Sequence, residues 1–245
     1  MRCIRYKHIF TESGCHRDIV PGIQNSLLNA GDNVSVTATF SEAVIVDNSS
    51  GNPTLTLVVG SDNRTATYAS GDNSTQLVLQ YTIQAGETDS DGISIGVNAL
   101  ELDSSTFRDA ASNNATLTHS AESANTSYKV DTTAPIVSSI SPTDSSYDVS
   151  FSTAVAVTFS ETMSTSTITT NTDNTTCSGS FQLSSNNFAT CIQMSAAPSA
   201  SNSDKTFTST PADNLSRGTN YKLQITTSAK DTSSNSLADN YTTTN

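Results

Sequence analysis

The stretch Val34-Ser35-Val36-Thr37-Ala38-Thr39-Phe40-Ser41-Glu42 decides the fold, because its apolar residues alternate with polar ones and because the pattern occurs twice. It returns in the second half as Val155-Ala156-Val157-Thr158-Phe159-Ser160-Glu161. A period of two is typical of a β-strand with one buried face. The repeat distance of about 120 residues matches one small domain and is longer than the unit of a solenoid. The sequence therefore predicts two related β domains in tandem.

A second repeated motif supports this division. Arg108-Asp109-Ala110-Ala111-Ser112-Asn113 closes the first half as Lys230-Asp231-Thr232-Ser233-Ser234-Asn235 closes the second. The segment Asp131–Pro135 lies between the halves, and its proline stiffens the joint and keeps the preceding residue out of helical space. We expect an unassigned segment at 1–20, a first domain at 21–131 and a second at 132–245.

Short alternating runs, separated by Gly, Asn, Asp, Ser and Pro, fill both halves. In the first half we predict strands near 34–40, 54–59, 65–69, 76–83, 93–97, 115–119 and 127–130. In the second half we predict them near 136–140, 154–159, 165–170, 181–183, 191–194, 205–209 and 221–227. About seven short strands per half predict an all-β chain of two tandem immunoglobulin-like β-sandwich domains.

The charge of the chain excludes several classes of partner. Its 245 residues carry 11 Lys and Arg against 23 Asp and Glu, a formal net charge of -12. A chain this acidic has no basic stripe for phosphates, so nucleic acid and anionic lipid are disfavoured as partners, no insertion into a membrane is expected, and cations are favoured. No apolar run is long enough to cross a bilayer, and none at the N-terminus resembles a secretory signal.

Two of the four cysteines favour a disulfide. Cys177 and Cys191 are 14 positions apart and flank Ser-Gly and Asn-Asn turn residues, which suits a bridge across a hairpin in an oxidising compartment. Zinc is a poor alternative because the chain has no C-x-x-C and its histidines lie far from this pair in sequence. The state of Cys3 and Cys15 stays open.

The ordered motifs resemble the bacterial Ig-like repeats of large surface adhesins and S-layer-associated proteins. In the second half these motifs are Asp131–Pro135, Val157–Met163, Gly218–Tyr221 and Lys230-Asp231, which together look like an SbsA-type Ig-like module. The first half is similar to related repeats through Gly86–Ile95 and Asp109–Asn113. The family often has Gly-Asn where this chain has Ser112-Asn113 and Ser234-Asn235. The segment Leu215–Tyr221 also resembles the tyrosine corner, in which a Tyr hydroxyl bonds to backbone a few residues upstream.

An acidic group of residues predicts a calcium site. Glu87, Asp89 and Asp91 alternate before Gly92, as oxygen ligands do at the start of a calcium loop. With the usual strand order of a sandwich, this loop, Asp131 of the linker, Glu161 and Asp231 would converge, with no basic residue nearby except Lys230. The alternative interpretation is that these residues are ordinary turn formers on solvated loops. Both interpretations stay open, and the predicted calcium ligands are Glu87, Asp89, Asp91, Asp131, Glu161 and Asp231.

These patterns favour a non-enzymatic structural or adhesive segment of a secreted bacterial surface protein, a spacer or stalk that calcium could rigidify. Expected partners are neighbouring Ig-like modules and a protein or glycan ligand on a surface, with an extracellular location. The alternative is an accessory or carbohydrate-binding module of a secreted enzyme, for which Tyr147 and Tyr241 are the candidate aromatic residues. Catalysis is disfavoured because neither G-x-S-x-G nor H-E-x-x-H occurs.

Overall fold

The computed structural model describes residues 27–244 and, for the backbone alone, 18–21. Within this part of the chain the structure is nearly all β, with a short 3-10 helix at Thr165–Thr167. Contacts divide the chain into two units, Met1–Thr133 and Ala134–Asn245, so the division lies two residues after the predicted one. The predicted all-β class is confirmed. Cys3, Cys15 and nearly all of the predicted 1–20 segment lie outside the described residues.

Ten strands build the part of the first unit that the structure describes. They are β1 (Asp18–Pro21), β2 (Leu27–Leu28), β3 (Asn33–Asp47), β4 (Thr54–Val59), β5 (Asp62–Ser70), β6 (Ser74–Thr82), β7 (Thr88–Asp89), β8 (Leu100–Glu101), β9 (Thr106–Arg108) and β10 (Lys129–Asp131). The larger sheet has the order β1-β3-β6-β5-β4-β8, and β9 pairs with the far end of β3. The smaller sheet has the order β2-β10-β7.

Alternation along these strands produces the first core. Leu55, Leu57 and Val59 of β4 are buried, while Thr56 and Val58 between them are partly exposed. Leu77 and Leu79 of β6 are buried in the same way and belong to the same hydrophobic cluster. The period-two pattern therefore fixes which face of the large sheet is buried.

Seven strands build the second unit. They are β11 (Val137–Ser141), β12 (Val155–Phe159), β13 (Phe181–Ser184), β14 (Ser199–Ser201), β15 (Thr206–Ser209), β16 (Lys222–Ile225) and β17 (Tyr241–Thr242). One sheet has the order β11-β12-β15-β14 and the other the order β13-β16-β17. A separate hydrophobic cluster, to which Val157, Phe159, Phe181 and Phe207 belong, forms the second core.

The predicted disulfide joins two loops of the second unit. Cys177 and Cys191 are bonded, with their Cα atoms 4.9 Å apart. Cys177 precedes β13, and Cys191 follows it after the turn at residues 185–190. The bridge therefore closes the chain around β13, as the 14-residue spacing favours.

The tyrosine corner is present. Tyr221 stands directly before β16, and its hydroxyl oxygen accepts a hydrogen bond from the Ser216 N–H at 2.9 Å. This bond fixes the turn that leads into β16.

Two predicted strands of the second unit are wrong. Residues 165–170 begin with the 3-10 turn, because the Thr167 N–H and hydroxyl both bond to the Ser164 carbonyl at 2.9 and 2.8 Å. Residues 191–194 do not form a ladder, since their N–H groups bond alternately to the loop before β13 and to β13 itself: Cys191 to Thr175, Ile192 to Leu183 and Met194 to Asn171. The predicted runs 93–97 and 115–119 of the first unit likewise show only isolated bridges or none.

Candidate metal centre

Glu87, the first predicted ligand, is buried among donors from its own unit. Its side chain forms an ion pair and hydrogen bond with Arg64 Nε, and the Tyr81 hydroxyl donates to the same oxygen. Its second oxygen accepts the Gln84 N–H at 2.9 Å. The expectation that no basic residue except Lys230 lies near these acids is therefore wrong, because Arg64 forms an ion pair with Glu87.

These contacts shift the pKa values of Glu87 and Tyr81, which with Arg64 form the Arg64–Glu87–Tyr81 cluster. Burial raises the pKa of Glu87, but hydrogen bonds from Tyr81, the Gln84 N–H and Arg64 outweigh it, so the pKa lies below its ordinary value. Burial, and after it the hydrogen bond to Glu87, raises the pKa of Tyr81 to about 12. At neutral pH the cluster therefore holds an ionised Glu87, a cationic Arg64 and a neutral Tyr81.

Asp89 closes the turn that follows. One carboxylate oxygen accepts the Gly60 N–H at 2.8 Å and the other accepts the Gly92 N–H at 2.7 Å. Gly92 has φ +102°, and a Cβ there would lie 1.9 Å from the Asn125 carbonyl oxygen, so only glycine fits. Turn formation accounts for Glu87, Asp89 and Gly92, whereas Asp91 is exposed.

Three of the predicted ligands line one cavity of the first unit. This cavity has a volume of about 540 Å³, and Asp89, Asp91 and Asp131 are among its lining residues. Asp131 pairs with Thr88 across β10 and β7, and one of its carboxylate oxygens accepts the Thr133 N–H at 3.0 Å. Lys129 lines the same cavity, so the first unit places a second basic residue beside the predicted ligands.

The other two predicted ligands belong to the second unit and lie close together. Carboxylate oxygens of Glu161 and Asp231 approach within 4.8 Å of each other. Asp231 is buried, with a relative exposure of 2%, whereas Glu161 is partly exposed. Asp231 is placed by its bridge to Met163, two residues after Glu161.

The repeated Asp-x-x-Ser-Asn motif forms the same closed loop in both units. Each oxygen of Asp231 accepts one hydrogen bond from Asn235, from the N–H at 2.8 Å and from Nδ2 at 2.9 Å. Asp109 accepts the same two bonds from Asn113, both at 2.8 Å. In each loop the Asp N–H also donates to the Asn carbonyl at 3.0 Å. The sequence repeat is therefore a structural repeat at the level of single hydrogen bonds.

The strand opposite the loop also repeats its register. Ile45 pairs with Arg108, which by antiparallel register sets Val44 opposite Asp109, as Met163 is opposite Asp231. Val44 and Met163 are both buried and both lie two residues after the glutamate of Phe-Ser-Glu. Glu42 thus occupies in the first unit the position that Glu161 has in the second.

Sequence reasoning missed Arg64, Tyr81 and Lys129 as neighbours of the acidic residues. Arg64 lies on β5, 23 positions before Glu87, so no local sequence pattern links the two residues. The alternation along β5 and β6 predicts on which face of the sheet each side chain lies. It does not predict which basic residue contacts which acidic residue.

Comparison with known proteins finds a family model that matches the second half. Residues 131–244 match the family model described as bacterial Ig-like domain. A similar solved structure is the crystal structure of the N-terminal part of the bacterial S-layer protein SbsC, at 22% identity and a TM-score of 0.33. That match covers 45% of this chain and 23% of the SbsC chain. A search of curated proteins found no match.

Proposed function

We propose that the chain, whose residues 131–244 match the bacterial Ig-like domain family, is a non-enzymatic pair of Ig-like modules that serves as a spacer or stalk in a bacterial surface protein. The observation that carries the proposal is the repeated Asp-x-x-Ser-Asn loop, whose hydrogen bonds are the same in both units. A repeated module with its own core adds length, and its strands serve as a scaffold for the connecting loops.

Pulling the whole chain from its two ends tests the spacer. We expect two separate unfolding events, because each unit has its own hydrophobic cluster. The increase in chain length when the second unit unfolds should be larger after reduction. The disulfide spans 14 positions that cannot extend while it is intact, which is about 50 Å of extended chain. A single event for the whole chain, or unfolding at negligible force, would contradict the proposal.

We also propose that calcium binds the chain and stiffens it. In the second unit the carboxylates of Glu161 and Asp231 approach within 4.8 Å. Two negative charges at about this distance repel by roughly 1 kcal/mol in water and about 4 kcal/mol at an effective dielectric constant of 20. A hard cation with oxygen ligands relieves this repulsion. Asp131, Asp89 and Asp91 remain predicted ligands, and the bonds of Glu87 to Arg64 and Tyr81 leave it the weakest candidate.

The calcium test compares equivalent positions of the two units. Calcium at about 100 times its dissociation constant should stabilise the wild type by roughly 2.7 kcal/mol, seen as a higher melting temperature than in EGTA. Glu161→Gln should abolish most of this shift, whereas the matched control Glu42→Gln should keep it. Small-angle scattering of the wild type and of Asp131→Ala, with calcium and with EGTA, tests the stiffening through the maximum dimension. Equal melting temperatures and equal maximum dimensions in all samples would contradict the calcium proposal and show that these acidic residues only form turns.

The adhesive role and the extracellular location belong to the same proposal. The support is the bacterial Ig-like family of the second half and the disulfide, which suits an oxidising compartment. Among the described residues, no helix has the length and hydrophobicity needed to cross a bilayer.

A further inference from the structure

A cavity at one end of the second unit carries an inference that goes beyond the spacer. It has a volume of about 610 Å³, within the range of small-molecule sites in proteins. Two loops form its walls, Pro142–Thr153 and Leu215–Tyr221, and the core residues Leu183 and Leu223 lie at its base.

Exposed hydrophobic side chains are concentrated at this cavity. Among the described residues six large hydrophobic side chains are exposed, and three of them, Tyr147, Val149 and Phe151, lie within five consecutive positions of its wall. Tyr147 is 89% exposed, although an aromatic ring gains most from burial. The Arg217 guanidinium lies over the Phe151 ring, 5.4 Å from its centroid. Such a cluster of exposed aromatic surface marks a binding site more often than scattered single residues do.

Hydrogen bonds hold both walls in place. The Leu215 N–H donates to the Phe151 carbonyl at 2.8 Å, which ties one loop to the other. The Ser216 N–H donates to the Tyr221 hydroxyl at 2.9 Å, so the tyrosine corner fixes the second loop. Asp144 accepts both the N–H and the hydroxyl of Thr244, at 3.0 and 2.8 Å. A site built in advance loses little entropy when a ligand binds.

The chemistry of the lining selects a class of ligand. Apart from its aromatic and aliphatic residues, the wall carries hydroxyl and amide groups of Ser, Thr and Asn. Its charged residues are Asp144, Asp148 and Arg217, and Asp144 already accepts two bonds from Thr244. In a chain of net charge -12 this nearly balanced surface suits neither a polyanion nor a strongly basic peptide.

We propose that this cavity binds a short neutral oligosaccharide, with a sugar ring stacked on Tyr147 and its hydroxyl groups bonded to the polar wall. A pyranose has an apolar C–H face and a polar rim, which matches an exposed aromatic ring surrounded by hydroxyl and amide groups. The site would allow a stalk module to hold a glycan of a cell wall or of a neighbouring surface.

Saturation-transfer NMR and calorimetry on the full chain test the proposal, with chitotriose, cellotriose, laminaritriose and maltotriose as probes. We expect at least one trisaccharide to bind with a dissociation constant of about 1 mM or lower. Tyr147→Ala should weaken binding about tenfold or more, and Tyr147→Phe should retain most of it, because the ring rather than the hydroxyl makes the contact. Because Tyr147 is 89% exposed, these variants should melt like the wild type.

The matched control is Val97→Ala, which removes an exposed hydrophobic side chain of the first unit and should leave binding unchanged. Absence of binding for all four trisaccharides at about 5 mM overturns the proposal, as does binding that survives Tyr147→Ala. Sedimentation of the same samples distinguishes the other occupant. If the wild type self-associates and Tyr147→Ala does not, the surface joins copies of this chain and the glycan proposal is wrong. Neither result bears on the two unfolding events that test the spacer.

Discussion

The two units form the same loop but support it differently. Asp109–Asn113 and Asp231–Asn235 have matching hydrogen bonds, and each lies opposite a buried apolar residue two positions after Phe-Ser-Glu. Around this common element the first unit builds a large sheet on the 15-residue strand β3, and the partly exposed Arg64 and Tyr81 bond to the buried Glu87. The second unit has shorter strands and a disulfide around β13. The local motifs are thus repeated, whereas the contacts between residues distant in sequence differ between the two units.

Truncation of a buried aromatic pair should have the largest effect on the stability of either unit. Phe40 and Phe107 pack edge to face with centroids 5.9 Å apart, and Phe159 and Phe207 do so at 6.0 Å. The two partners lie on different strands relative to the repeat, β9 in one unit and β15 in the other. Because all four rings are buried, Phe107→Ala and Phe207→Ala should each destabilise their own unit by about 3–5 kcal/mol.

Calorimetry of the whole chain measures this. Each variant should lower one of two melting transitions and leave the other near its wild-type temperature. Tyr147→Ala, an exposed aromatic truncation in the second unit, is the control and should change stability by less than about 0.5 kcal/mol. Equal shifts of both transitions in either variant would show that the two cores do not unfold separately.

Reduction of the disulfide should come next in size. Closing a loop of about 15 residues stabilises by roughly 3 kcal/mol on the chain-entropy model. Dithiothreitol, or the double variant Cys177→Ala and Cys191→Ala, should therefore lower the melting temperature of the second unit alone. A non-reduced digest analysed by mass spectrometry checks the bond first. Two free thiols in oxidised secreted protein would contradict it.

How much the sequence predicts depends on the range of the interaction. The strand 54–59 appears with its predicted bounds, because six alternating residues between a proline and a glycine need no distant partner to set their period. The tyrosine corner and the Asp-x-x-Ser-Asn loops also close within six residues. The pair Arg64–Glu87 and the burial of Asp231 depend on strand packing, so the pattern of charges alone did not reveal them. The run 165–170 failed for a local reason, since Ser164 and Thr167 bond into a turn that alternation does not describe.

The Arg64–Glu87–Tyr81 cluster should make the first unit sensitive to acid. The pKa of Glu87 is lowered in the folded state, so its stabilising effect is present above the unfolded value of about 4.3 and is lost as the pH falls through the folded pKa. Glu87→Gln should cost about 1–2 kcal/mol at neutral pH, because charged hydrogen bonds are lost, and should flatten the acid dependence. Denaturation between pH 2 and pH 7 measures both, with exposed Asp91→Asn as control. An unchanged acid profile in Glu87→Gln would show that other carboxylates govern it.

The smallest expected effect tests whether the repeated loop is the same in energy as well as in geometry. Ser112 and Ser234 adopt left-handed backbone conformations, with φ of 66° and 72°, which glycine adopts without a steric penalty. A side chain in this conformation costs roughly 1–2 kcal/mol relative to glycine, and the greater freedom of glycine in the unfolded chain offsets part of that gain. Ser112→Gly and Ser234→Gly should therefore each stabilise their own unit by up to about 1 kcal/mol. The exposed Ser50→Gly, outside both loops, should give no such gain. Chemical denaturation of all three variants measures these changes in stability. A gain in one loop and a loss in the other would mean that the two loops carry different strain in spite of their matching hydrogen bonds. The cause would be that Asp231 is buried and Asp109 only partly so, which constrains the Asp231 loop more strongly.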